Sequence, residues 1–465
     1  MLASGPRTVS TASRRAYGFL CFLLLVATLL TATRSYALPT FARQTGQSCV
    51  ACHAGGQYPE LTPYGRLFKL TGYTFGERPA IPLSVMGVAS YTKTVNPDNA
   101  SDFPKNAVAL FQTGSVFLAG KISDNVGLFS QVTYDNYANQ DPVSNQWSGH
   151  SHSDNFDLRY ADRFIGQGSD LIAGISLNNN PSVTDVWNTA PAWIQYVPTR
   201  FGQTGAMAAP LISQLGQQVA GLSAYAYWNR SWYGELAVYQ TARNAFSFLK
   251  AGNDIGNRIA GTAPYLRLAY NREWGPHSLM VGVLAMNASI YPDPTVASGP
   301  ATDYRDRGFD AQYQYLLDPH ALTLQMSYIR ERSYGGDVAG TASNPSNTLN
   351  QLRLKASYIY RAKYGASLSY QQTTGSTDGS LYAGLQDDGT GTGNMIPIPY
   401  SGSINNNPDT RLWIPEVFWQ PVQYARFGMQ YYKFQRFNGT AANYDGAGRN
   451  AGDNNTLFVY VWAAY

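Results

Sequence analysis

The chain has 465 residues, with 34 tyrosines, 20 phenylalanines and 44 glycines, but only 13% of its side chains are charged. That length exceeds one small domain, and beyond the N-terminus no second apolar run is long enough for a membrane helix. The formal charge of +4 at pH 7 resides in the first few dozen residues, so nothing in the remaining chain favours nucleic acid as a partner.

The N-terminal stretch reads as an export signal. Arg7, Arg14 and Arg15 form a basic head, Phe19 to Leu30 is apolar, and Ser35-Tyr36-Ala37 offers small residues for cleavage after Ala37. About a dozen apolar residues are short for a bilayer span, which disfavours an uncleaved anchor. Removing residues 1–37 takes away four of the 33 basic residues and no acid, leaving 29 bases against 29 acids. It also removes Cys21, so the exported chain keeps only Cys49 and Cys52 and has no other cysteine for a structural disulfide.

Those two cysteines belong to Cys49-Val50-Ala51-Cys52-His53. A Cys-x-x-Cys-His sequence in an exported protein is the attachment signature of c-type haem. The thiols add across the two vinyl groups, and the histidine ligates the iron from the proximal side. A dithiol redox pair would need a surrounding redox fold, and half a zinc site would need a second pair of thiols. The sequence offers neither.

After the motif, Thr62 as N-cap, Pro63 in the first helical position and Gly72 beyond the end predict a short helix. Tyr64, Leu67 and Phe68 would share its porphyrin-facing side. Arg43, Arg66 and Lys69 are candidate partners for haem propionates. Residues 38–82 are too few to bury a haem unaided, so the rest of the chain must supply further walls.

From Leu83 onward the apolar pattern has period two. Leu110–Ile122, Ser123-Asp124-Asn125 and Val126–Tyr134 read as a hairpin. Short turns recur at 166–169, 228–230, 272–276, 317–320, 361–363 and 419–421, alternating with longer polar connections. About seven short turns and eight long loops predict an all-β, transmembrane barrel of about 16 antiparallel strands over residues 83–465, with both termini on the periplasmic side. Leu457, Val459, Val461, Ala463 and Tyr465 give the final strand one apolar face ending in an aromatic residue, as in outer-membrane barrels. A soluble all-β domain would need apolar cores between its sheets, whereas one face of each strand here is polar. The predicted location is therefore the outer membrane, with residues 38–82 plugging the lumen.

Leu38-Pro39-Thr40-Phe41-Ala42-Arg43-Gln44-Thr45-Gly46 before the motif, and Pro59-Glu60-Leu61-Thr62-Pro63-Tyr64-Gly65-Arg66-Leu67-Phe68-Lys69-Leu70 after it, carry a family resemblance. With the loop from Asn178-Asn179-Asn180-Pro181 through Asp185-Val186-Trp187-Asn188-Thr189, they resemble the fused outer-membrane monohaem cytochrome c–porins of iron-oxidising bacteria. The resemblance implies one covalent haem c on Cys49 and Cys52, with His53 as proximal ligand. It also implies an iron:cytochrome c oxidoreductase activity, in which extracellular ferrous iron gives one electron to a periplasmic c-type cytochrome or cupredoxin. The alternative function is a diffusion porin whose haem segment is structural or sensory, or a conduit for a donor other than iron.

The distal ligand stays open at the level of sequence. Met86 is the nearest candidate, and a thioether there would raise the reduction potential; the competing reading is an ordinary wall methionine. His150 and His152 are expected in a long external loop, solvated or collecting metal. Asp157, Asp162 and Asp185 are candidate ferrous-iron ligands, or ordinary lumen ion pairs with Arg159 and Arg163.

Overall fold

The computed structural model describes residues 39–56, 58–97, 106–141, 147–190, 197–198, 205–250, 256–391 and 393–465. The export segment 1–37 lies outside the described residues.

Sixteen long strands form one closed antiparallel barrel: β1 (Leu83–Thr94), β2 (Val108–Lys121), β3 (Val126–Gln140), β4 (Trp147–Gly166), β5 (Ser169–Asn178), β6 (Val219–Trp228), β7 (Trp232–Thr241), and, past the two-residue β8 (Arg258–Ile259), β9 (Ala263–Trp274), β10 (His277–Tyr291), β11 (Thr302–Leu317), β12 (His320–Tyr334), β13 (Ser346–Tyr360) and β14 (Tyr364–Gly375). A loop hairpin, β15 (Leu385–Asp387) with β16 (Met395–Pro397), precedes the last three, β17 (Thr410–Val422), β18 (Ala425–Arg436) and β19 (Thr456–Ala464). Each long strand pairs with its sequence neighbour. The ring closes where β1 meets β19, from Met86 opposite Ala464 to Thr94 opposite Thr456.

The alternation along each strand is inverted relative to a soluble protein. Leu222, Leu236, Leu268, Val281 and Val417 point outward and are exposed, whereas Ser223, Glu235, Arg267, Asp310, Gln312, Glu416 and Arg426 point inward and are buried. Apolar side chains outside and polar ones inside satisfy a bilayer and an aqueous lumen together, and closure leaves no sheet edge unpaired. Trp228, Trp232, Trp274, Tyr364 and Trp419 are exposed near the short-turn rim, where an aromatic girdle meets the membrane interface. The protein is an outer-membrane barrel.

The seven short connections fall where the sequence places them, with one correction. The predicted turn at 419–421 lies inside β17, and the chain reverses at Gln423–Tyr424 instead. The pairing register shifts between Trp419 and Val422, and Pro421, which lacks an N–H, sits in that irregularity. There the turn residues of the sequence mark a bulge near the strand end.

Residues 39–82 fold against the inner wall at the short-turn end. Helices α1 (Pro39–Thr45), α2 (Cys49–Cys52) and α3 (Pro63–Leu70) are fastened there by side chains from around the ring. Arg66 donates to Gln314 at 2.8 Å and Ser278 at 2.7 Å. Lys355 pairs with the buried Glu60 at 2.6 Å. The hydroxyl of Tyr73 donates to Asp157 at 2.6 Å. The segment therefore plugs the lumen.

From the other side the described start of the loop between β5 and β6, residues 179–190, folds inward. It opens with the single turn α4 (Pro181–Thr184), and the Asp185 carboxylate accepts from the N–H groups of Trp187, Thr189 and Ala190. The buried Arg267 joins this loop to the wall, bonding Asp185 at 3.2 Å and Asp310 at 2.7 Å.

Candidate functional site: a lumenal cavity around Cys49, Cys52 and His53

The helical turn of α2 spans only Cys49 to Cys52. A three-residue offset in a helix brings both side chains to one face. His53 leaves the helix in an extended conformation, φ −115° and ψ 132°, its N–H still bonded to the Cys49 carbonyl at 2.8 Å. Two further bonds pin the turn, from Thr62 N–H to the Cys52 carbonyl and from Ala54 N–H to the Glu60 carbonyl, both 2.9 Å.

Helix α3 forms as its sequence signals require. Thr62 accepts from Gly65 N–H at 3.1 Å, Pro63 fills the first turn, and Gly72 takes φ +74° beyond the end. Gly65 lets this helix lie directly on α2, because a Cβ there would meet the Cys52 carbonyl oxygen at 2.1 Å.

Cys49, Cys52 and His53 border one lumenal cavity of about 620 Å³, a size typical of a bound organic cofactor. Its other walls include Phe41, Tyr58, Phe68, Phe117, Phe129 and Trp462. Met86 lines the same cavity, on the inward row of β1 between the buried Ser84 and Val88. The structure thus places the candidate distal ligand and the attachment motif around one space. The ring of Tyr58 packs on His53 with centroids 4.2 Å apart, and Trp462 backs Tyr58 at 5.3 Å.

The electrostatics of the motif suit a covalently held metal porphyrin. Nδ1 of His53 is buried with no hydrogen-bond partner. Burial holds this imidazole well below its ordinary pKa, only weakly opposed by the Glu60 backbone, and a neutral imidazole is the form that ligates metal. Burial, with Cys49 beside it, pushes the Cys52 thiol up to about 11, so the pair is not tuned as a reactive thiolate. Neither cysteine is in a disulfide. The residues present fit a c-type haem.

Other expected contacts divide sharply. Of Tyr64, Leu67 and Phe68, only Phe68 faces the cavity; Leu67 packs toward Trp187 and Tyr225, and Tyr64 is exposed beside Phe75. The face that turns inward is Leu61, Gly65, Phe68 and Lys69, rotated from the one expected because Gly65 seats on Cys52. Of the three propionate candidates, Lys69 lines the cavity while donating to the Asp185 carbonyl at 3.0 Å. Arg43 is bound to the carbonyls of Ile81 and Leu83, and Arg66 to the opposite wall.

His150 and His152 are not in a loop. They lie in β4, opposite Asp135 and Thr133, with rings stacked 6.5 Å apart. Asp157 is buried against Arg159 at 2.6 Å, so the lumen-pair reading holds for it, and Asp185 is taken up by its own loop and Arg267. Arg163 pairs with Asp170 at 2.6 Å, not with Asp162, whose carboxylate accepts from the Arg163 N–H. Among the described residues no group of three or more His, Cys, Asp or Glu converges to hold an iron ion.

Sequence reasoning missed Tyr58, Phe117, Phe129 and Trp462 as cavity walls. For Phe117 and Trp462 the signal was the strand alternation, which places them on the inward rows with Ser115 and Tyr460. Tyr58 carries no such signal, since its position depends on how the chain turns back from His53 to Leu61.

Fold and cavity together define a sixteen-stranded outer-membrane barrel whose N-terminal segment is folded into the lumen. No protein-family model and no curated protein sequence matches the chain. Among solved structures it is similar to the OmpT outer membrane protein of Vibrio cholerae in a form lacking loop L8, with TM-score 0.43, 11% identity, and coverage of 82% of this chain and 99% of that one. It is also similar to OmpF of Salmonella typhi in complex with daunomycin, with TM-score 0.42, 12% identity, and coverage of 82% and 97%. An anion-selective porin from Comamonas acidovorans has TM-score 0.39, 12% identity, and coverage of 82% and 99%.

Proposed function

We propose that this barrel is an outer-membrane electron-transfer protein that carries one c-type haem in its lumen, joined to Cys49 and Cys52. In this reading it takes one electron from an extracellular donor and passes it to a periplasmic c-type cytochrome or cupredoxin. Ferrous iron as the donor rests on the family resemblance of residues 38–73. The observation that carries the proposal is the shared cavity, bordered on one side by the Cys-x-x-Cys-His turn and elsewhere by Met86.

A bound haem would supply a one-electron couple. The chain's residues do the rest. Cys49 and Cys52 would hold the group covalently, and His53, kept neutral by burial, would offer a ring nitrogen to the iron. The thioether of Met86 is the distal candidate, the pairing that favours a high potential. The aromatic wall of Phe68, Phe117, Phe129 and Trp462 limits water around the centre, and exclusion of solvent is a further means of raising potential.

The second reading, a diffusion porin with a structural or sensing haem segment, is favoured by the polar inner wall of the barrel. One experiment separates the two. The protein, matured with haem and oxidised, is mixed anaerobically with ferrous iron while haem absorbance is followed, and its single-channel conductance is recorded in a planar bilayer. Rapid haem reduction with little conductance supports electron transfer. Absence of reduction together with a wide conducting pore overturns it in favour of diffusion.

A further inference from the structure

We propose that Arg305 and Arg307 on β11, with Arg330 and Arg332 on β12, bind the phosphate groups of a glycolipid in the outer leaflet. All four side chains are exposed. They belong to the outward rows of the two strands, because the intervening Asp306 and Glu331 face inward and are buried. Those acids are committed to the lumen, accepting from the N–H groups of Ile212 at 2.8 Å and Leu211 at 2.6 Å. Strand alternation thus splits Arg-Asp-Arg and Arg-Glu-Arg into acids within the barrel and cations outside it.

The register makes the cluster compact. Arg305 stands directly opposite Arg332, and Arg307 directly opposite Arg330. Like charges in direct cross-strand opposition are destabilising without a counter-charge. The four guanidinium groups and Tyr334 line a hollow of about 300 Å³ on the outer wall. Arg305 lies over the Tyr334 ring at 5.0 Å, and Arg307 is braced by Asn287 at 3.0 Å and the Met286 carbonyl at 3.3 Å. The nearest outward acid on these strands, Asp303, already accepts from Ser289 at 2.5 Å.

Depth identifies the occupant. The four arginines sit toward the long-loop, extracellular ends of their strands. One step further into the membrane the same rows carry Phe309 and Tyr328, then Ala311 and Met326, then Tyr313 and Leu324. Cations are costly on the lipid face at the bilayer midplane but not near its interface. There they meet headgroups, and guanidinium groups bind phosphate in a bidentate manner. A ligand with phosphates level with the arginines and acyl chains beside Phe309 and Tyr328 satisfies both halves of the surface.

The test titrates the haem-matured protein in detergent with bisphosphorylated lipid A, with its phosphate-free form, and with inorganic phosphate. The parent is expected to bind bisphosphorylated lipid A, and R305Q/R332Q to bind it about tenfold or more weakly, as loss of charge-assisted bonds requires. R272Q/R361Q, which removes two exposed arginines at the opposite rim, is expected to match the parent. Heat-modifiable gel migration checks that each barrel is folded. Equal affinity of parent and R305Q/R332Q for bisphosphorylated lipid A overturns the proposal. So does equal binding of the two lipid forms, or binding of inorganic phosphate with no preference for lipid.

Discussion

Gly65 on α3 lies directly on the peptide carbonyl of Cys52, so closely that a Cβ would stand 2.1 Å from that oxygen. No rotamer change relieves such a clash, because the obstacle is backbone. Gly65→Ala is expected to drive α3 off α2 at a cost of about 1–3 kcal/mol and to reduce covalent haem incorporation. Haem-stained gels and thermal unfolding check this, with Gly87→Ala as the control, since a Cβ there would sit 3.6 Å from Phe111. Unchanged incorporation and stability in Gly65→Ala would show that the tight seating is dispensable.

Met86→Leu tests the distal ligand. The swap nearly conserves volume and costs less than about 1.5 kcal/mol by packing alone, while it removes the only sulfur that Met86 offers to the cavity. A lower reduction potential and an altered absorption spectrum are expected. If spectroelectrochemistry returns the parent's potential and spectrum, Met86 is a wall residue and nothing more.

Arg267 holds two carboxylates, and all three side chains are buried. Its bonds to Asp310 and Asp185 join the barrel wall to the inward loop. Arg267→Ala leaves two buried anions without their cation, a loss of about 3–5 kcal/mol. The expected result is release of the loop and higher single-channel conductance in planar bilayers. Asp310→Asn, which retains one acceptor and keeps Asp185 paired, is expected to fall between parent and Arg267→Ala.

In the extracellular loop after β14, Asp378 bridges two loops. Burial alone would raise its carboxyl, but N–H groups of Leu381, Ser343 and Asn344, with the Asn347 side chain, outweigh that and hold it well below the usual carboxylate range. A depressed native pKa stabilises the fold fully above the unfolded value of about 4. That contribution declines as pH falls below this value and disappears only below the native pKa. The loop tie is therefore expected to survive at pH 3. Limited proteolysis at pH 3 and 7 checks this: the parent resists at both, while Asp378→Asn is cut at both. Cleavage of the parent at pH 3 alone would contradict the assignment.

Period-two patterning and turn residues were enough to read a barrel of about sixteen strands, because a bilayer outside and water inside force alternation on every strand, whereas the inward position of the N-terminal segment followed from its being too short to bury a haem unaided. Cys49, Cys52 and His53 stand out in the sequence for a different reason, since haem attachment would fix their spacing. The facing of α3 was not legible, as hydrophobic periodicity cannot register that Gly65 yields its side to Cys52. The histidines 150 and 152 were read as loop because polar residues dominate there, yet lumen-facing strands are polar too. Arg43 and Arg66 drew attention by charge, but their partners are backbone carbonyls and wall residues that only tertiary structure brings within reach.

The seam at which β1 meets β19 has a consequence for timing. Met86 and Val88 come from the first strand and Trp462 and Ala464 from the last, and all four line the cavity of the Cys-x-x-Cys-His turn. This chamber does not exist while the chain is incomplete or the cylinder unsealed. A group borne on Cys49 and Cys52 would gain these walls only in the event that pairs Met86 with Ala464.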